Sequence, residues 1–315
     1  MANSKPLALQ LCAYSPQMEA MLAERLELAP WFALDPAAQD ALLAQRGDAV
    51  AMVVTGGHIG CPDALLRALP NLRLLAINGV GFDKVNLPLA RRLGVAVSNT
   101  PDVLTDDVAD LAVGLVIALK RRLVVADGHV RAGLWPGGDM PLARKVSGSH
   151  FGVFGLGRIG QAVAARLAPF GPVGYASRSA KPVPYTRHGS LADLAAWCDV
   201  LVVACAATAE TACLVDAKVL AQLGPAGVLV NVSRGSVVDE AALIAALADG
   251  TIAGAALDVF AAEPQVPQTL LQMPNTVLTP HIASATVECR AAMAALVVAN
   301  VDAVLAGQAP VTPVA

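Results

Sequence analysis

Charged side chains are scarce in this 315-residue chain, where they make up 15% of the residues, and aromatic residues make up only 4%. A disordered chain needs low hydrophobicity and high charge, so a hydrophobic share of 56% excludes that class. Long uninterrupted apolar runs are also lacking. Residues 291–301 are apolar apart from Asn300, and this run is too short for the about 20 residues that span a bilayer. The apolar residues therefore predict a buried core, and no membrane partner is expected.

The chain also lacks a strong charge of one sign and any paired arrangement of cysteines. Its net charge is −3, and its basic clusters at 91–92 and 120–122 are too short to indicate nucleic acid binding. The six cysteines show no Cys-x-x-Cys pair and no zinc-type spacing, so no metal site is expected. We interpret them as reduced core residues. Together with a poor signal-peptide pattern at the N-terminus, this favours a cytoplasmic location.

Short apolar runs alternate with helix-like stretches in two successive series. The predicted strands are residues 7–12, 49–54, 73–77 and 95–97 in the first series, and 151–154, 173–176, 200–204, 228–231, 252–257 and 276–278 in the second. The predicted helices include residues 16–27, 36–45, 62–69, 105–131, 158–167 and 284–305. This alternation predicts an α/β fold with parallel sheets, and the more regular second series predicts a doubly wound sheet.

A glycine-rich segment, Gly155-Leu156-Gly157-Arg158-Ile159-Gly160, matches the dinucleotide fingerprint Gly-x-Gly-x-x-Gly. It stands between a predicted strand and a predicted helix, which is the context that the phosphate-binding mechanism requires. The first glycine permits the tight turn, the second lets the backbone approach the pyrophosphate, and the third lets helix and strand pack closely. The pattern therefore predicts a nicotinamide dinucleotide at the start of this helix.

The end of the next predicted strand indicates which nucleotide binds. An NAD enzyme usually carries Asp or Glu there for the ribose 2′-hydroxyl, but this chain carries Ser177-Arg178-Ser179. A guanidinium and two hydroxyls suit a 2′-phosphate, and Lys181 offers a further cation. We therefore expect NADPH to be preferred, with NADH possible.

Three later segments end predicted strands with groups that can act on a carbonyl: Arg234, Glu263 and His281. The carboxyl ends of parallel strands line the ligand crevice of an open α/β sheet. Arginine can bind a carboxylate through two hydrogen bonds, and histidine can protonate a carbonyl as it becomes an alcohol, with a carboxylate fixing the ring's orientation. With a hydride donor at the fingerprint, this set predicts the reduction of a ketone.

The chain resembles the D-isomer-specific 2-hydroxyacid dehydrogenase family, and within it the NADPH-dependent glyoxylate/hydroxypyruvate reductases and the hydroxyphenylpyruvate reductases. The resemblance covers nearly the whole chain. It is carried in order by the segments Asn78–Lys84, Asn99–Asp110, Gly155–Gly160, Asn231–Gly235, Leu257–Phe260 with Glu263-Pro264, and Thr279–Ala283.

The resemblance implies a role for each matching residue. Arg234 would bind the 2-oxo acid, His281 would be the acid/base and Glu263 its partner. The substrate would also contact the backbone amides of Val80 and Gly81, and Trp135 on a loop that reaches the neighbouring subunit's site. Asp258 would face the nicotinamide amide. The expected cofactor-binding residues are Thr105, Gly155, Leu156, Gly157, Arg158, Ile159, Gly160, Ser177, Arg178, Ser179, Cys205, Ala206, Val232, Ser233, Arg234, Asp258, His281 and Ala283.

The resemblance also implies two doubly wound parallel-sheet domains of the Rossmann-like or flavodoxin-like kind, with a cleft between them. We expect residues 1–99 and 285–315 to form a discontinuous substrate domain and residues 100–284 to form the dinucleotide-binding domain. The predicted helix 105–131 would form the seam of a homodimer.

Two alternatives stay open at this point. One is an NAD-dependent enzyme like phosphoglycerate dehydrogenase, which the Ser-Arg-Ser strand end disfavours. The other is a non-catalytic NAD(P)-sensing protein that keeps the same three residues. The sequence does not fix which 2-oxo acid is the substrate.

Overall fold

The computed structural model describes residues 5–314. The chain divides into two compact units, one formed by Met1–Leu104 with Val287–Ala315 and the other by Thr105–Thr286. Within the described part of the chain, no helix is both long and apolar enough to cross a membrane.

The first unit is built on a five-stranded parallel sheet in the order β2-β1-β3-β4-β5. Its strands are β1 (Leu7–Gln10), β2 (Glu27–Ala29), β3 (Val50–Gly56), β4 (Leu74–Asn78) and β5 (Ala96–Ser98). Its helices are α1 (Pro16–Ala23), α2 (Pro36–Arg46), α3 (Asp63–Arg67), α4 (Leu87–Arg92) and α12 (Val287–Leu305). Helices α1 and α2 both start at a proline, which needs no backbone N–H at that position, and both are preceded by a side chain that caps the helix.

Helices cover both faces of this sheet. On one face, α12 packs Val297 and Val301 against the strand residues Met52 and Leu74. On the other face, apolar residues from α3 and α4 join the core. Strands covered on both sides must be apolar along their whole length, which explains the continuous apolar runs in the sequence.

The second unit contains a seven-stranded parallel sheet in the order β12-β11-β10-β9-β6-β7-β8. Its strands are β6 (Phe151–Phe154), β7 (Val173–Ala176), β8 (Thr186–Arg187), β9 (Val200–Val203), β10 (Val228–Asn231), β11 (Gly254–Leu257) and β12 (Thr276–Leu278). Its helices are α5 (Thr105–Lys120), α6 (Leu123–Arg131), α7 (Arg158–Leu167), α8 (Leu191–Trp197), α9 (Ala217–Leu223), α10 (Glu240–Ala248) and α11 (Gln268–Gln272). The strand order reverses between β6 and β9, and such a switch point is where open α/β sheets bind their ligands.

The predicted fold class is confirmed, but several predicted elements are wrong in their limits. The single helix expected over 105–131 is two helices, because Arg122 adopts a left-handed conformation (φ 54°) that ends the helical path between them. The helix expected over 16–27 ends at Ala23, and Glu27 starts the short edge strand β2. The two-residue strand β8 lacks an apolar run, and the terminal helix starts at Val287 instead of Ser284.

Candidate active site

Three neighbouring strands of the second unit carry the predicted catalytic groups to one edge of the sheet. Arg234 follows β10, Glu263 follows β11 and His281 follows β12. Because these strands are parallel and adjacent in the order β12-β11-β10, their carboxyl ends lie side by side. Side chains far apart in sequence therefore converge on one edge.

His281 and Glu263 form a direct pair. The ring Nδ1 of His281 lies 2.8 Å from Oε2 of Glu263, while Oε1 accepts a hydrogen bond from the backbone N–H of Phe260 at 3.0 Å. Burial, the largest influence on Glu263, raises its pKa. The hydrogen bonds from His281 and Phe260 and the positive charges of His281 and Arg234 outweigh it and hold the pKa below its ordinary value.

The ionised carboxylate decides the state of the imidazole. A carboxylate without a proton can only accept hydrogen bonds, so Nδ1 of His281 must carry a proton and donate it to Glu263. The other ring nitrogen, Nε2, is then the second position at which the ring can bind or release a proton. The His281 side chain is 32% exposed, so it can be reached from solvent.

Asp258 holds the backbone around His281 in place. Its fully buried carboxylate accepts hydrogen bonds from the Thr279 hydroxyl (2.7 Å) and from the amides of Ile282 (2.8 Å) and Ala283 (3.0 Å). Its backbone carbonyl accepts from the N–H of His281 at 2.9 Å. His281 has a φ of 52°, which is costly for a residue with a side chain, and bonds on both sides of it hold this conformation. The sequence did not lead us to predict these hydrogen bonds, although an aspartate directly after a buried strand indicates a buried carboxylate that needs hydrogen-bond donors.

The turn that carries Arg234 is fixed by short polar contacts. Asn231 accepts from the amide of Ser233 through its side-chain oxygen and donates through its side-chain nitrogen to the carbonyl of Arg234, both at 3.0 Å. The guanidinium Nη1 of Arg234 donates to the carbonyl of Ser233 at 2.7 Å. A side chain on Gly235 would collide with the backbone of Phe260, so the Arg234 turn packs directly on the segment that leads to Glu263.

The glycine-rich segment has the geometry that a dinucleotide needs. Gly155 has a φ of 95°, and a Cβ there would lie 2.3 Å from Cα of Cys205. A Cβ on Gly160 would lie 2.0 Å from the carbonyl oxygen of Gly155, so α7 packs closely on the preceding turn. At Gly157, by contrast, a Cβ would meet nothing within 4 Å, and no side chain caps the start of α7. This open helix start, at the switch point of the sheet, fits a dinucleotide pyrophosphate.

The strand end expected to bind the ribose contains hydroxyls and cations. Ser177 donates through its hydroxyl to the carbonyl of Ser179 at 2.7 Å, and Arg178 and Ser179 are exposed. Sequence reasoning missed Arg187 on β8, whose Nη2 donates to the carbonyl of Ser177 at 3.2 Å. Arg187 and Arg178 together place two cations around this turn.

The remaining predicted site residues are distributed as follows. Val80 and Gly81 follow β4 in the first unit, and Thr105 is the first residue of α5. Val232, Ser233 and Ala283 are buried beside the strand ends, and burial raises the pKa of the Cys205 thiol to about 12, so this thiol is neutral. Further members of the predicted set are Leu156, which is buried, Ile159, which is half-buried, and Arg158 and Ala206, which are exposed. Trp135 lies after α6 and is 63% exposed.

The family model for the D-isomer specific 2-hydroxyacid dehydrogenase NAD-binding domain matches residues 113–283. Hydroxyphenylpyruvate reductase from Plectranthus scutellarioides is 46% identical over 97% of this chain and 98% of its own length. Glyoxylate/hydroxypyruvate reductase A from Arabidopsis thaliana is 44% identical over the same shares. A 2-ketogluconate reductase from Gluconobacter oxydans is 44% identical over 99% of both chains.

Solved structures give the same result. A 2-hydroxyacid dehydrogenase from Ketogulonicigenium vulgare is 43% identical, with a TM-score of 0.92 over 99% of both chains. An NADPH-dependent glyoxylate/hydroxypyruvate reductase from Sinorhizobium meliloti, crystallised with NADP and malonate, is 41% identical. Its TM-score is 0.90 over 99% of this chain and 97% of that one.

Proposed function

The chain belongs to the D-isomer specific 2-hydroxyacid dehydrogenase family and is an NAD(P)-dependent oxidoreductase that reduces 2-oxo acids, and from this premise we propose that its substrate is glyoxylate, hydroxypyruvate or the bulkier hydroxyphenylpyruvate. The products would be D-2-hydroxy acids, and NADPH would be the preferred hydride donor. One observation carries the proposal: the Glu263–His281 pair stands beside Arg234 on the sheet edge that also bears the fingerprint turn.

Each catalytic group has a defined task in this reaction. When bound, NADPH supplies a hydride to the carbonyl carbon of the 2-oxo acid. Protonated His281 donates the proton on Nε2 to the carbonyl oxygen as that oxygen gains negative charge. Glu263, ionised and bonded to Nδ1, stabilises the imidazolium and fixes the ring. Arg234 binds the substrate carboxylate.

The backbone amides of Val80 and Gly81 are proposed as further ligands of that carboxylate. Asp258 is proposed to face the nicotinamide amide, in addition to the bracing contacts it makes. In this scheme the first unit is the substrate domain and the second is the dinucleotide-binding domain, which contains the predicted cofactor contacts at 155–160, 177–179, 205–206, 232–234 and 283, together with Thr105.

NADPH selectivity is proposed to depend on Arg178. Replacing Arg178 by alanine removes a charge-assisted hydrogen bond to the 2′-phosphate worth about 1.5–3 kcal/mol, so the Kd for NADPH is expected to rise about 10- to 100-fold. The Kd for NADH, which has no such phosphate, should change little. Fluorescence titration with both cofactors measures this directly.

Arg92→Ala is the matched control, since this exposed arginine lies on α4 in the other unit. It should leave both cofactor affinities unchanged. An Arg178→Ala variant that kept its NADPH affinity and lost NADH instead would refute the assignment.

The assembly is proposed to be a homodimer in the cytoplasm. Large apolar side chains lie exposed on α6 and the loop after it, namely Leu123, Val124, Val130, Leu134 and Trp135. Such a concentration of exposed apolar side chains is typical of a surface covered in an assembly. The described cysteines are free thiols, which suits a reducing compartment.

The variant Val124→Glu/Val130→Glu places two charges on that surface. It is expected to convert the dimer into a monomer, because two unpaired carboxylates would be buried in the interface. Light scattering after size-exclusion chromatography measures the mass. Leu271→Glu, a change at an equally exposed apolar residue on α11, should remain dimeric. A wild-type protein that elutes as a monomer would contradict the proposal.

The substrate proposal is tested by following NADPH oxidation with glyoxylate, hydroxypyruvate and hydroxyphenylpyruvate. The panel should also contain 2-ketogluconate, because the Gluconobacter relative is named for its reduction. Turnover of at least one of the first three supports the proposal. Turnover of 2-ketogluconate alone would replace the substrate assignment, and tight NADPH binding without turnover of any of the four would favour a nucleotide-sensing protein.

A further inference from the structure

We propose that Thr312, in the segment that follows α12, is a positioning residue for the substrate carboxylate. This inference rests on the proposed function, since it concerns the amides of Val80 and Gly81. Its basis is a network of hydrogen bonds within the first unit that runs from the buried Asn300 through the half-buried Thr312 and the buried Asn99 to the segment Gly79–Gly81. We call Gly79–Gly81 the substrate loop.

Two of the three backbone carbonyls of the substrate loop accept hydrogen bonds from the segment that follows β5. The amide of Thr100 donates to the carbonyl of Gly79 at 2.9 Å, and the side-chain amide of Asn99 donates to the carbonyl of Val80 at 2.8 Å. A trans peptide is planar, and its C=O and N–H point in opposite directions. Fixing the Gly79 carbonyl therefore fixes the N–H of Val80. Fixing the Val80 carbonyl fixes the N–H of Gly81 in the same way.

These are the two amides proposed to bind the substrate carboxylate. Both N–H groups are directed away from Asn99 and Thr100, because the carbonyls of the same peptide planes point toward those residues. Amides that are already oriented before the substrate arrives bind its carboxylate without the entropic cost of ordering a loop. The orientation of the substrate loop therefore depends on what holds Asn99.

Thr312 holds Asn99 through two hydrogen bonds. Its hydroxyl donates to the carbonyl of Asn99 at 2.6 Å, and its own carbonyl accepts from the N–H of Asn99 at 3.3 Å. The segment continues along the edge of the sheet, where Pro313 pairs with Ser98 and the N–H of Val314 donates to the carbonyl of Val97 at 2.8 Å. The segment after α12 thus covers β5, the edge strand that leads directly into Asn99.

Asn300 fixes Thr312 in turn. Its side-chain nitrogen donates to the Thr312 hydroxyl and its side-chain oxygen accepts from the Thr312 N–H, both at 2.9 Å. Asn300 is 1% exposed and is the single polar residue in the apolar stretch 291–301. A buried amide without partners would be costly, so this asparagine is explained by its bonds to Thr312. The complete chain of contacts makes Thr312 the link between α12 and the substrate loop.

The test uses Thr312→Val, which keeps the shape of the side chain and removes the hydroxyl, and Thr312→Ser, which keeps the hydroxyl. Val311→Ala is the matched control, because its side chain is exposed beside Thr312. For each variant we measure kcat and KM with glyoxylate and hydroxypyruvate, inhibition by oxalate, the Kd for NADPH and the melting temperature. Thr312→Ala gives the same test should the valine variant not fold.

The expected effect is limited to the binding of the substrate carboxylate. In Thr312→Val, KM and the inhibition constant of oxalate should both rise about tenfold, while kcat stays within about twofold, as for an interaction made equally in the ground and transition states. The Kd for NADPH should not change, and Thr312→Ser should restore the wild-type KM. A merely structural role would lower the melting temperature without this pattern.

Two results would overturn the inference while leaving the proposed function intact. One is a wild-type KM and oxalate inhibition constant in folded Thr312→Val or Thr312→Ala. The other is a Thr312→Ser variant as impaired as Thr312→Val. Failure of the wild-type protein to reduce any 2-oxo acid would instead refute the proposed function.

Discussion

Replacing His281 by glutamine is expected to lower kcat for 2-oxo acid reduction by about 10²- to 10⁴-fold, the usual contribution of a positioned general acid. Glutamine can donate hydrogen bonds, but its neutral amide does not release a proton to the carbonyl oxygen. Steady-state NADPH oxidation measures the loss, and a titration should show that NADPH still binds.

The pH dependence separates a lost proton donor from a disturbed fold. Wild type and His281→Gln should differ in the shape of their pH–rate profiles, because only the wild-type protein contains this proton donor. Glu263 keeps its charge to lower pH than an ordinary glutamate, because its pKa is lowered, so the pair itself should persist through mildly acidic conditions. His188→Gln is the control, since its ring stacks at an angle on Trp197 within the same unit. Activity of His281→Gln within tenfold of wild type would remove His281 from the mechanism.

Replacing Arg234 by alanine is expected to produce the second large loss, with kcat/KM for glyoxylate falling by about 10²- to 10⁴-fold. Two charge-assisted hydrogen bonds to a carboxylate, worth about 1.5–3 kcal/mol each, account for this range. Arg234→Lys should recover only part of it, because an ammonium group cannot present two parallel donors.

A second consequence of Arg234→Ala concerns Glu263. The charge of Arg234 helps to lower the pKa of Glu263, so its removal should move that pKa upward. Loss of activity in the variant should then begin at higher pH as the solution is acidified. Arg46→Ala, which breaks a surface pair with Glu27 in the other unit, is the control and should behave as wild type. An Arg234→Ala variant with unchanged KM and kcat would contradict the assignment.

Much of the fold could be predicted because it depends on local patterns. The strands at 151–154, 173–176 and 228–231 were predictable to the residue, since each is a short apolar run bounded by turn residues. The glycine-rich turn was predictable for the same reason, because its requirements fall within six residues: Gly155 and Gly160 leave no space for a side chain, and Gly157 leaves the start of α7 open. The break at Arg122 was not, because neither glycine nor proline marks it.

The groups that position the site could not be predicted, because they act between residues distant in sequence. Asp258, at a different strand end, accepts hydrogen bonds from the Thr279 hydroxyl before His281 and from two backbone amides after it. Periodicity carries no information about such contacts. Asn300 was visible only as a polar interruption in an apolar stretch. Its side chain bonds to Thr312, which lies in the segment that follows α12 and runs along the edge of the sheet.

The central claim is that the chain transfers a hydride from NADPH to the carbonyl carbon of a 2-oxo acid and a proton to its oxygen. The most direct test incubates the wild-type protein with hydroxypyruvate and NADPH deuterated at the transferable C4 position, and then analyses the product by chiral chromatography and mass spectrometry. The expected product is D-glycerate with one deuterium at C2. The L-isomer or deuterium-free glycerate would contradict this transfer. The absence of a deuterated product from hydroxypyruvate, glyoxylate and hydroxyphenylpyruvate alike would contradict it as well.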